Sequence, residues 1–92
     1  MTDDIKRRIA YTQNWHAFCN KYRIVPTSDD HDSNICDAIK TIVTRNELKR
    51  QEHKEGYIKM SVYLKSEEIV SGYFTISEID DISFLDSRLK LV

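Results

Sequence analysis

SNICDAIKTIVTRNELKRQEHKEG, the stretch from Ser33 to Gly56, sets the pattern around which the rest of the chain is arranged. Its first half repeats apolar residues at helical spacing on one face: Ile35, Ala38, Ile39, Ile42 and Val43. Its second half continues that face with polar and mostly basic residues: Asn46, Lys49, Arg50 and His53. We therefore expect a helix over about residues 34–54 that begins in the core, ends as a basic arm and stops at Gly56.

The same stretch leaves one alternative open. Thr44-Arg45-Asn46-Glu47 matches a capping box, in which Thr and Glu satisfy the first backbone N–H groups of a new helix. Leu48 lies off the apolar face, which favours a break at this point. The helix is therefore either continuous or interrupted near Thr44.

On the N-terminal side, helical periodicity predicts a first helix over about residues 3–22. Thr2 is a suitable N-cap, and the acidic residues that follow it suit the positive end of a helix dipole. Pro26 disfavours helical geometry at Val25. We read the polar run from Thr27 to Ser33 as a connection that supplies the N-cap of the second helix at Asp32 or Ser33.

On the C-terminal side, the apolar period changes to two. Strands are predicted over about residues 57–65 and 69–76, joined by a hairpin loop at Ser66-Glu67-Glu68, and Gly72 is typical of a bulge. Ser77 to Ile82 predicts a short helical turn with Ser77 as N-cap. Residues 88–92 alternate again and form a candidate third strand, pairing within the chain or with another copy.

The predicted fold class is α+β, with two N-terminal helices packed on a small antiparallel sheet of two to three C-terminal strands. The 92 residues suit a single, freestanding domain over 1–92. No apolar run is long enough for a membrane span, and the polar start from Thr2 to Arg8 does not resemble a signal peptide. We expect a cytoplasmic protein, in the host cytoplasm if a phage encodes it, with Cys19 and Cys36 as free thiols.

The residues that could carry chemistry do not form a recognisable catalytic or metal motif. Asp29-Asp30-His31-Asp32 is rich in metal-ligand types, but an EF-hand alignment places Ile35 where Gly is needed and Thr41 where Glu is needed. His16 and Cys19 are spaced as a nucleophile pair without an orienting group. The sequence therefore predicts a protein that is not an enzyme and has no catalytic residue, metal or cofactor.

Charge is segregated along the chain although the net charge is only −1. If the two helices are antiparallel, their basic residues form one patch that could contact nucleic acid: Lys6, Arg7, Arg8, Arg45, Lys49, Arg50, His53 and Lys54. Six acids and no base lie between Ser66 and Ser87. Beside the tyrosines of the hairpin, these predict an acidic protein-binding face whose candidate residues are Glu67, Glu68, Tyr73, Glu78, Asp80 and Asp81.

Together these patterns favour a small non-enzymatic binding protein. It would be an inhibitor or adaptor of the kind that phages and mobile elements use against host defence, including CRISPR systems, or against nucleic-acid machinery. The expected partner is a protein or protein–nucleic-acid complex whose basic nucleic-acid-binding surface the acidic face would block. The alternative is a nucleic-acid-binding regulator that uses the basic helical patch.

Overall fold

The computed structural model describes residues 3–53, 55–64, 67–85 and 89–92, with the backbone alone described for residues 3–12. The described elements are, in chain order, α1 (Asp3–Tyr22), α2 (His31–Glu52), β1 (Ile58–Tyr63), β2 (Ile69–Phe74), α3 (Ile76–Ser83) and β3 (Lys90–Leu91). The strands form an antiparallel sheet in the order β2-β1-β3, with β2 at one edge. The α+β class and the order of helices before sheet are confirmed, and β3 pairs within the chain.

Helix α2 begins earlier than predicted, with Asp30 and not Asp32 or Ser33 at the N-cap position. The Asn34 side chain fixes this start: its amide nitrogen donates to the Ser28 carbonyl at 2.8 Å, and its oxygen accepts from the Ser28 backbone N–H at 3.0 Å. The connection is thereby tied to the first turn of the helix.

Helix α2 continues through Thr44, so the predicted alternative of a break there is wrong. The Thr44 hydroxyl donates to the Lys40 carbonyl one turn back at 3.0 Å and does not cap a new helix. Leu48 is 64% exposed because it lies off the buried face, as its position in the pattern indicates. The helix ends at Glu52 with His53 as C-cap, and Lys54 lies outside the described residues.

The buried face of the sheet packs against α2, which runs along the edge strand β2. Gly72 marks the closest approach: a Cβ added there would lie 2.6 Å from Cγ1 of Val43. No bulge occurs at Gly72, since the register passes through the pair Met60 and Gly72 without interruption. Glycine is used here because the α2 side chain occupies the space of a Cβ, so the predicted bulge is replaced by a close approach.

Both hairpin strands are shorter than predicted. Strand β2 ends at Phe74 because Thr75 serves as the N-cap of α3 and not as part of the strand. The predicted N-cap, Ser77, lies inside the helix. Residue 65 of the predicted first strand, residue 66 of the predicted loop and residue 88 of the predicted third strand lie outside the described residues.

The last turns of α1 pack into the core through Trp15, Phe18 and Cys19. Trp15 makes an edge contact with His31 at the start of α2, with ring centroids 5.6 Å apart. The Arg45 guanidinium, in the middle of α2, donates to the backbone carbonyl of Tyr22 at the end of α1. Moving towards the C-terminus of α1, the contacts also move towards the C-terminus of α2. The described contacts therefore do not show the antiparallel arrangement on which the predicted basic patch was conditional.

The opposite face of the sheet is open. Directly opposed residues of an antiparallel sheet share a face, so the register places eight described side chains here. They are Lys59, Ser61 and Tyr63 of β1, Ile69, Ser71 and Tyr73 of β2, and Lys90 and Val92 at the third strand. Tyr63 is 41% exposed and Ile69 is 53% exposed. We call this surface the open sheet face.

None of the helices in the described ranges combines the length and the apolar content that a membrane span needs.

Replacing Gly72 with Ala should destabilise the protein by about 1–3 kcal/mol, because the new methyl group meets the stiff, β-branched side chain of Val43. Urea unfolding measures the change. In the background of Val43→Ala, the same substitution should cost much less. Equal costs in the two backgrounds would contradict the proposed contact.

Candidate functional site

The acidic residues predicted to form one face lie in two separate places. Glu67 and Glu68 are at the turn between β1 and β2, where Glu67 has a positive φ of 63°. Asp80 and Asp81 belong to α3, in the helical layer of the fold. The structure therefore does not bring the predicted acidic residues together on a single face.

Glu78 is buried, with only 9% of its surface exposed, so it is not part of a binding face. Its carboxylate accepts from the Thr75 backbone N–H at 2.8 Å, and its own N–H donates to the Thr75 hydroxyl, which completes a capping box. The same carboxylate oxygen accepts from the Asn46 side-chain amide at 2.8 Å. Glu78 therefore holds the start of α3 against α2.

The Asp81 side chain bonds to two residues of α1. It pairs with the Lys21 ammonium at 2.7 Å and accepts a short hydrogen bond from the Tyr22 hydroxyl. Partial burial raises the pKa of the Asp81 carboxyl, but the hydrogen bonds from Lys21 and Tyr22 outweigh it and leave that pKa below its usual value. Burial, followed by the bond to Asp81, raises the pKa of Tyr22. Of the three acids in α3, Asp80 is exposed, Asp81 is half-buried and Glu78 is buried.

Tyr73 lies beside basic residues and not beside the acids with which it was predicted to form a face. The Arg50 guanidinium lies over its ring, 3.8 Å from the centroid, in a cation–π contact. Lys59 is its direct partner on β1. The prediction that placed Tyr73 on an acidic face is therefore corrected by its position at the far end of β2.

The structure describes the side chains of four of the eight residues of the predicted basic patch, which are Arg45, Lys49, Arg50 and His53. Arg45 is used internally, because its guanidinium caps the end of α1 through the Tyr22 and Arg23 carbonyls. Lys49 and His53 are exposed on the last turns of α2. The side chains of Lys6, Arg7 and Arg8, like Lys54, lie outside the described residues. Nucleic-acid contact by this helical patch stays a prediction.

A groove that the sequence did not predict lies between the start of α2 and the tip of the hairpin. Its volume is about 550 Å³. Among the described residues, five carboxylates and one ammonium group line it, and these charged residues are Asp30, Asp32, Asp37, Lys40, Glu67 and Glu68. Because the two acidic segments are at least 30 residues apart in the chain, only folding brings them together. We call this site the acidic groove.

Glu68 is fixed in the wall of the acidic groove. Its carboxylate accepts from the Cys36 thiol at 2.6 Å and from the Lys40 ammonium at 3.4 Å. These two contacts, with that from Cys36 the larger, lower the pKa of Glu68. Burial and the neighbouring carboxylate raise the pKa of the Cys36 thiol, so it stays protonated near neutral pH and is a poor nucleophile.

At the mouth of the groove, Asp30 accepts from the Ser33 hydroxyl at 2.7 Å, and this bond is the main cause of a lowered Asp30 pKa. The carboxylates with lowered pKa values keep their negative charge into the mildly acidic range. Within the described part of the chain, no group of three or more His, Cys, Asp or Glu side chains is arranged to hold a metal ion. The chemistry that this arrangement offers is recognition of a positively charged partner.

Two features of the groove were not predicted from the sequence. They are the presence of Asp37 in its lining and the proximity of the polar connection before α2 to the hairpin tip. The available signal was the helical spacing of Ser33, Asp37 and Lys40, which places them on one side of α2. That spacing identifies a site only in combination with the direction in which α2 runs along β2, which brings these residues to the hairpin tip.

Replacing Glu78 with Ala should lower the free energy of unfolding by about 1–3 kcal/mol, because it leaves one of the two Asn46 amide N–H groups and the Thr75 N–H without an acceptor. The matched change Asp80→Ala, on the exposed side of the same helix, should stay within about 0.5 kcal/mol. Chemical denaturation of both variants tests this. Equal effects would mean that the capping box is not what Glu78 contributes.

Replacing Asp81 with Asn should cost about 1 kcal/mol at neutral pH, since Asn accepts from Tyr22 but does not pair with Lys21. The folded pKa of Asp81 lies below its ordinary value of 3.8, so its contribution is present above about pH 4 and is lost as the pH falls through the folded pKa. Unfolding measured from about pH 7 down to pH 2 should show the two proteins converging. With Asp80→Asn as control, a difference that does not depend on pH would refute this account.

Comparison of the chain with protein-family models, with curated proteins and with solved structures found no match. The geometry and charges of the described residues are therefore the grounds on which a function can be proposed.

Proposed function

We propose that the chain is a non-enzymatic binding protein, an inhibitor or adaptor, that docks through the acidic groove on a basic surface of a protein or protein–nucleic-acid complex. Where that basic surface normally holds nucleic acid, docking blocks it. The single observation that carries the proposal is the convergence of five carboxylates with one ammonium group in a groove of about 550 Å³.

The charge of the groove supports attraction of a basic partner. Lys40 is the only base among the described residues that line the groove, and Glu68 already accepts a hydrogen bond from it. Two other carboxylates of the groove, those of Asp37 and Glu67, are exposed to solvent. Such uncompensated charge accelerates the approach of a partner of opposite sign and disfavours partners of like sign.

The fixed geometry of the groove supports specific docking. Glu68 is held by Cys36 and Lys40, so little side-chain freedom is lost there when a partner binds. A charged groove of fixed geometry provides both steering of a basic partner and a defined contact surface.

The test begins with capture of partners by tagged protein from nuclease-treated host lysate, followed by binding kinetics with the purified partner. The double variant Asp37→Asn/Glu67→Gln removes two charges at exposed positions whose backbone hydrogen bonds, from the Thr41 hydroxyl to the Asp37 carbonyl and from the Glu67 N–H to the Leu64 carbonyl, do not involve the substituted carboxylates. We expect association to slow by about tenfold or more at low salt. We expect the difference from the unmodified protein to shrink as salt rises.

The matched control is Asp80→Asn/Glu52→Gln, which removes the same charge at exposed positions outside the groove. It should bind nearly as fast as the unmodified protein. Equal losses in the two double variants would show that net charge alone matters. Unchanged binding of the groove variant would overturn the assignment of the site.

A further inference from the structure

The open sheet face carries a repeated pairing of aromatic and basic side chains. Tyr63 lies directly opposite Lys90 on β3, and Tyr73 lies directly opposite Lys59 on β1. Between these two pairs, the hydroxyls of Ser61 and Ser71 are 2.8 Å apart. The surface therefore alternates aromatic–cation, hydroxyl–hydroxyl and aromatic–cation along the strands.

The charge of this face is opposite in sign to that of the acidic groove. None of the eight described residues on the open sheet face is acidic, and Lys59 and Lys90 are both exposed. Arg50 adds a third cation at the edge, over the Tyr73 ring. One carboxylate, that of Glu47, lines the small cavity beside Arg50 and Tyr73.

The spacing of the tyrosines suits an extended polymer. In the sheet register they lie four residues apart along the strand direction, which corresponds to about 13 Å. A ligand that contacts both must therefore be elongated, offer flat faces to the aromatic rings and carry negative charge near each lysine. Single-stranded nucleic acid has all three properties, because its bases stack on aromatic side chains and its phosphates pair with cations.

We propose that the open sheet face binds single-stranded nucleic acid, with Tyr63 and Tyr73 as stacking positions and Lys59, Lys90 and Arg50 as phosphate contacts. Duplex nucleic acid fits less well, since reading a groove requires a protruding helix or ribbon, and this surface is the flat face of a sheet. The site is distinct from the predicted helical patch, with which it shares only Arg50. It is also independent of the proposed protein-docking function, which uses acids.

Fluorescence anisotropy with labelled oligothymidylate and oligouridylate of equal length tests the proposal on the full chain. Salt-dependent binding of at least one of them is expected at about 50 mM salt. Three cations at about −0.7 each give an expected slope of about −2 for the logarithm of the binding constant against the logarithm of salt concentration. Absence of binding by both single strands would overturn the proposal.

The decisive variants change exposed side chains and keep the fold. Lys59→Gln/Lys90→Gln should reduce the salt slope to about −0.7 and weaken binding about tenfold or more at low salt. Tyr63→Ser should weaken binding on the order of tenfold through lost stacking, with the salt slope unchanged. Glu47→Gln should strengthen binding, because it removes the one carboxylate beside Arg50.

A control that removes one cation outside the open sheet face, compared with two in the lysine pair, is Lys49→Gln on α2. It should leave binding nearly unchanged, whereas a loss equal to that of the lysine pair would place the site on the helix instead. Equal affinity for a duplex of the same length, or for polyglutamate, would also overturn the proposal. The groove variant Asp37→Asn/Glu67→Gln should retain oligonucleotide binding, so failure at one site is distinguishable from failure at the other.

Discussion

The side-chain amide of Asn46 is the interaction on which the described fold depends. It is 1% exposed and donates to the Tyr73 carbonyl of β2 and to the Glu78 carboxylate of α3, both at 2.8 Å. One residue of α2 thereby fixes both the edge strand and the helix that follows it. If the buried amide lost these acceptors, the free-energy cost would exceed the net stabilisation that the two hydrogen bonds provide. The arrangement therefore helps to specify this packing as well as to stabilise it.

This anchor also sets where the charges lie. With Asn46 at the end of β2 and Cys36 at its start, α2 runs along β2 in one direction. The acidic beginning of α2 then meets the acidic hairpin turn, and its basic end meets Tyr73 and Lys59. A net charge of −1 thus conceals two regions of opposite sign at the two ends of one helix.

The elements and the core could be predicted from local patterns, because burial on one face leaves a periodic trace in the sequence. The α+β class, the two long helices and the hairpin all follow from that trace. The roles of Glu78, Asp81 and Arg45 could not be predicted in this way. Each looked like a surface charge, and each proved to be bonded to a residue more than 20 positions away or to a helix cap.

The candidate sites were harder to predict for the same reason. The acidic face was expected from charges that are near in sequence, whereas the acidic groove joins Asp37 to Glu67 across the fold. The pairing of Tyr73 with Lys59 likewise depends on strand register, which no composition reveals. The sequence predicts a bulge at Gly72 because it shows that a side chain is absent there. It does not show that Val43 occupies the space that a side chain would need.

The edge position of β2 has a consequence for self-association. Ile69–Phe74 contains no charged residue and no proline, so the strand itself carries none of the usual protection against pairing with another chain. That protection comes instead from α2, through Arg50 over Tyr73 at one end and the Glu68 contacts with Cys36 and Lys40 at the other. Access of another chain to this edge therefore depends on how firmly α2 stays packed on β2, because fraying of the helix would expose a strand whose composition suits pairing between molecules.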